Sequence, residues 1–82
     1  SENMAYVYDL PQMQLDLDQK ERNLRVLSYK LISAKEKLKR VDPLSAEFDE
    51  TVVLIEDIRD EMKSLAYERI NLKHKILEVS RE

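Results

Sequence analysis

Apolar residues recur along the first half of the chain at alternating steps of three and four positions. The members of this first stripe are Leu10, Met13, Leu17, Lys20, Leu24, Leu27, Leu31, Ala34, Leu38 and Val41. Only Lys20 among them is polar. This spacing is the heptad repeat of a helix that presses a narrow face against another helix, as in a coiled coil. It predicts one long helix over residues 10–41.

The same spacing returns in the second half of the chain. The members of this second stripe are Phe48, Thr51, Ile55, Ile58, Met62, Leu65, Arg69, Leu72, Ile76 and Val79. The stripe predicts a second helix over residues 48–82, with residues 42–47 forming a turn and a helix cap. Asp42, followed by Pro43, and Ser45 are both suitable N-caps, so two candidates stand for the start of this helix.

The apolar spacing changes between the two stripes. There the apolar positions Leu38, Val41, Leu44 and Phe48 follow one another at steps of three, three and four residues. A continuous rod would lose its apolar stripe at this point, because the second repeat is out of phase with the first. Folding back instead pairs the two stripes in an antiparallel register, from Val41 against Phe48 to Leu10 against Val79. We expect a single all-α domain, an antiparallel two-helix coiled-coil hairpin, with the rod as the alternative.

One level of this register brings two cations together, since Lys20 and Arg69 face each other. We call this level the polar notch. In one interpretation both side chains reach outward to neighbouring carboxylates, Asp16 and Glu21 for Lys20 and Glu68 for Arg69, and the notch serves to fix the register. In the other, the notch receives an acidic side chain from a second copy or a partner.

Further apolar residues lie outside both stripes. They are Leu15, Val26, Tyr29, Ile32, Val52, Val53, Leu54, Ala66, Tyr67, Ile70 and Leu77. Ordinary surfaces also expose scattered apolar side chains, but a set of this kind is typical of helices that contact more than one neighbour. We expect two hairpins to pair as a homodimer in a four-helix bundle, with another helical or folded protein as the alternative partner.

The composition of the chain supports self-association and argues against catalysis and against metal or cofactor binding. A chain of 82 residues in one helical layer buries little apolar surface, and with no cysteine and a single histidine, His74, it has neither disulfides nor a metal site to compensate. It also has no glycine from which to build a phosphate-binding loop. We expect no catalytic residues, no metal and no cofactor, and we expect an intracellular protein, in the cytoplasm or the nucleus.

Two other segments are candidates for binding. The basic residues Lys35, Lys37, Lys39 and Arg40 near the turn could contact phosphates of lipids or nucleic acids. Acidic residues follow directly after the turn and would repel the phosphates of nucleic acids, so nucleic acid is not an expected partner. The longest apolar run is only residues 52–55, which is far too short to span a membrane, so a membrane is not expected either.

The other segment precedes the first helix, within an extended lead-in over residues 1–9. Tyr6, Val7 and Tyr8 could dock on another protein as a short strand. The phase of Tyr6 favours a simpler role, in which it extends the first stripe by one layer. We also expect the chain to be a segment of a longer protein.

These features predict a non-enzymatic coiled-coil module for self-association and scaffolding. The alternative is a hairpin that recognises a folded partner, as two-helix modules that bind small GTPases do, although no motif of that class is present.

Overall fold

A computed structural model describes residues 9–81, which form two α-helices joined by a turn. Helix α1 spans Leu10–Leu38 and helix α2 spans Ala46–Ser80. The molecule measures 61 × 15 × 14 Å. A continuous helix of about 70 residues would extend over about 105 Å, at 1.5 Å per residue. The chain therefore folds back on itself, and the prediction of an all-helical hairpin is confirmed.

Helix α1 begins with a side-chain cap. The carboxylate of Asp9 accepts a hydrogen bond from the backbone N–H of Gln12, at 3.3 Å. Pro11 occupies the first turn of the helix, where a missing N–H costs nothing because these groups have no partner within the helix.

Helix α1 ends at Leu38, three residues before the predicted end at Val41. Pro43 explains the early end, since it has no N–H to donate to the carbonyl of Lys39 and its ring would collide with that carbonyl in a continuing helix. The last turn tightens instead, and the Lys39 N–H donates to the carbonyl of Glu36 at 3.3 Å.

Of the two candidate caps for helix α2, the structure uses Ser45. Its Oγ accepts a hydrogen bond from the Phe48 N–H at 3.1 Å and donates one to the Asp42 carbonyl at 2.6 Å. The Asp42 carboxylate shapes the turn, accepting from the Leu44 N–H at 3.0 Å. Helix α2 consequently begins at Ala46, two residues before the predicted start at Phe48.

The Ser45 cap yields a testable prediction. Replacing Ser45 by alanine leaves the Phe48 N–H without its acceptor and lowers the free energy of unfolding by about 1 kcal/mol. The measurement is urea unfolding followed by circular dichroism. Ser64→Ala, at an exposed position inside α2, is the matched control and leaves the midpoint unchanged or slightly higher. Equal midpoints for the two variants would contradict a capping role.

The two stripes meet between the helices and form the core. The buried members are Met13, Leu17, Leu27, Ala34, Thr51, Ile55, Ile58 and Val79. The others are half-buried, except Leu10 at the end of the hairpin, which is 37% exposed. The hydroxyl of Thr51 donates to the Glu47 carbonyl at 2.7 Å, so this buried polar group is satisfied. The core is thin, because no side chain within residues 9–81 is less than 2% exposed.

Two ion pairs join the helices. Lys37 Nζ lies 3.2 Å from Glu47 Oε1 close to the turn, and Arg69 Nε lies 2.8 Å from Glu21 Oε2 nearer the opposite end. Both pairs fit antiparallel helices, so the first and last turns of the hairpin lie together at one end, which we call the open end. Residues 39–45 form the other end, the tip.

Candidate interaction surface

The polar notch separates its two cations by giving each a carboxylate. Lys20 Nζ binds Asp16 Oδ1 at 3.1 Å on its own helix, as expected. Its second expected partner, Glu21, pairs instead with Arg69 of the facing helix. The expected partner of Arg69 was Glu68, and this expectation is wrong. Adjacent residues of a helix point in directions about 100° apart, whereas Glu21 lies beside the level that Arg69 faces. The carboxylates that the notch requires are thus supplied within the chain.

The apolar residues outside the stripes are largely exposed, and Ala66 is half-buried. They do not form one continuous surface. Val26, Tyr29 and Leu54 gather along one groove between the helices, and Val52 lines a smaller hollow near the tip. The groove therefore brings three of these exposed apolar side chains together beside the core. Their assignment to a dimer or partner interface stays a prediction.

This central groove has a volume of about 620 Å³ and opens to solvent along one face of the hairpin. The buried side chains of Leu27, Ala34 and Ile58 form its floor. Its depth follows from the sequence, because Ala34 places a single methyl group at a level where most of the first stripe carries leucine. Val26 and Leu54 form its apolar walls. The groove is thus an apolar trough that is open to solvent.

Charged side chains flank the central groove, with opposite signs on its two sides. Lys30 and Lys37 lie on the α1 side, and Asp57 and Glu61 lie on the α2 side. All four are exposed. Sequence reasoning did not single out Lys30, Asp57 or Glu61 as interface residues. The sequence contained one signal for these three residues. Each directly precedes a stripe residue, and the antiparallel register places all three on the same side of the hairpin.

Carboxylates already neutralise part of the basic segment near the tip. Lys37 binds Glu47, and Lys39 Nζ lies 3.0 Å from Glu36 Oε1. The hydrogen bond from Lys39 lowers the pKa of Glu36, and the positive charges of Lys39 and Arg40 lower it further. Such pairing weakens the attraction of this segment for phosphate groups. Of the other two members, Lys35 lines a small hollow with Leu38 and Phe48, and Arg40 is exposed.

The candidate docking residues Tyr6, Val7 and Tyr8 lie outside the described residues, as does the rest of the lead-in before Asp9. Across residues 9–81, acidic and histidine side chains nowhere gather into a set that could hold a metal ion. Neither described helix has the length and apolar character needed to cross a membrane.

Comparisons with family models, with curated proteins and with solved structures give no match to this chain.

Proposed function

We propose that this chain is a non-enzymatic interaction module that associates with a second copy of itself and serves as a scaffold within a longer protein. The proposal rests on one observation: exposed apolar side chains flank an open apolar groove, and within residues 9–81 no further segment covers it. Pairing of two hairpins in a four-helix bundle would cover both grooves. An intracellular setting is part of the proposal, since the chain has no cysteine with which to form disulfides.

Surface area supports the proposal. The chain exposes 6311 Å², whereas a compact monomer of 9.8 kDa exposes about 5200 Å². A hairpin face 61 Å long and 15 Å wide is also large enough for the roughly 800 Å² per partner that a specific interface buries. Association would therefore remove surface that the hairpin cannot bury alone.

Sedimentation equilibrium over a wide range of concentrations tests self-association. We expect a species of twice the 9.8 kDa chain mass, together with a melting temperature that rises with protein concentration because unfolding is coupled to dissociation. A folded 9.8 kDa species at every concentration, with a melting temperature independent of concentration, would contradict the proposal. It would favour a hairpin that recognises a different folded protein.

A further inference from the structure

The charges beside the central groove are arranged so that the hairpin can complement itself. Lys30 on α1 and Asp57 and Glu61 on α2 line the same stretch of the groove from opposite sides. In residues 9–81 none of these three forms an ion pair within 4 Å, although the antiparallel register places Lys30 near Glu61. Lys37 beside them is bound to Glu47. Apart from Lys37, the charged side chains on the two sides of the groove thus have no ion-pair partner among residues 9–81.

Two symmetric arrangements could bring the grooves of two copies together. A two-fold axis parallel to the helices places α1 of each copy over α2 of the other and keeps every residue at its own level along the hairpin. Lys30 of each copy then lies over Asp57 and Glu61 of the other. A two-fold axis across the helices places α1 over α1 and α2 over α2, so like charges face each other. Electrostatic complementarity favours the parallel axis.

The apolar part of the groove fits the same arrangement. Leu54 and Ala34 line one stretch of the groove, on different helices. A two-fold axis parallel to the helices carries Leu54 of each copy over α1 of the other, at the level of Ala34. The small side chain of Ala34 leaves the space that a leucine requires, so the two copies would fill each other's grooves.

We propose that the central groove is the site where a second copy of this chain docks, about a two-fold axis parallel to the helices. The occupant of the groove is the same hairpin, with α1 over α2 and Leu54 over Ala34. This inference rests on the proposed self-association and adds to it the surface and the symmetry.

The first test compares two leucines of α2 that differ in their relation to the groove. Leu54 is 50% exposed and lines the groove. Leu77 is 54% exposed near the open end and is not part of the groove lining, so docking in the groove would leave it outside the interface to which the sequence assigns it. We expect Leu54→Gln to raise the dimer dissociation constant at least about tenfold, as the loss of a central apolar contact does. We expect Leu77→Gln to change it less than about threefold. Sedimentation equilibrium gives both constants, and circular dichroism checks that both variants stay helical.

The second test reverses charges to determine the symmetry. Lys30→Glu brings like charges together in the parallel-axis dimer, as does the double variant Asp57→Lys with Glu61→Lys. Each should weaken its own dimer at least about tenfold at low salt. Mixing the two variants restores both attractive contacts, so a heterodimer should form with about the affinity of the unmodified chain. The differences should shrink in 1 M salt, where the Debye length is about 3 Å.

The possible outcomes separate this inference from the proposed function. A chain that stays monomeric contradicts both. A dimer that Leu54→Gln leaves intact, or that Leu77→Gln weakens equally, keeps self-association and overturns the groove as its site. A dimer that Leu54→Gln weakens but Lys30→Glu does not overturns the proposed axis, because that axis requires Lys30 to face the acidic side.

Discussion

Replacing Leu17 by alanine lowers the free energy of unfolding by about 3 kcal/mol. Leu17 is 7% exposed between the helices, so truncation removes buried apolar contacts and leaves a cavity. With only two helices, the structure has few neighbouring side chains that could move in to fill it. Urea unfolding, followed by circular dichroism at a fixed protein concentration, measures the effect.

Leu15 provides the matched control for this prediction. It lies two residues away on the same helix and is 59% exposed. Leu15→Ala removes the same atoms from a largely hydrated position, and the change should stay within about 0.5 kcal/mol. Equal losses for the two variants would contradict the placement of Leu17 in the core. A larger loss at Leu15 would show that its face is covered by a partner in solution.

The largest expected gain in stability comes from the polar notch. The double variant Lys20→Leu with Arg69→Leu should raise the free energy of unfolding by about 2 kcal/mol, because well-packed apolar side chains often stabilise more than half-buried ion pairs. Glu21 loses Arg69 as its partner but is one-third exposed, so water can still solvate its carboxylate. Urea unfolding measures the gain, and sedimentation equilibrium determines the association state.

An exposed arginine on α2, the helix that carries Arg69, provides the control. Arg59 is paired at 3.8 Å with Glu56 on its own helix, and Arg59→Leu should change stability by less than about 0.5 kcal/mol. If the double notch variant keeps its association state while gaining stability, the notch serves mainly to fix the register. A loss of stability instead would mean that the pairs Lys20–Asp16 and Arg69–Glu21 hold this level together.

The fold could be predicted from the sequence because it depends on periodicity. The heptad spacing specifies which side of each helix is apolar, and the change of phase before Phe48 argues against a continuous rod. The helix ends depend on local hydrogen bonds that the pattern does not specify. Whether Asp42 or Ser45 caps α2, and where α1 stops before Pro43, is decided by the backbone conformation of the turn.

The candidate interaction surface was harder to predict. Arg69 has a neighbouring carboxylate in sequence, Glu68, but it pairs with Glu21, 48 positions away. That choice depends on side-chain direction and on the facing helix. The central groove depends on volume, since Ala34 satisfies the apolar pattern as well as a leucine would. A pattern of apolar and polar positions does not distinguish a filled level from a hollow one.

The placement of both helix ends at the open end has a mechanical consequence. Leu10 and Ser80 are separated by roughly the 8–10 Å spacing of packed helices. A symmetry axis along the hairpin would point both copies the same way, so that the four helix ends at Leu10 and Ser80 would lie together, with both turns at the opposite end of the assembly. Any domain joined to these helix ends would be held close to its counterpart from the other copy. The 61 Å length of the hairpin would set the distance between such a domain and the turns.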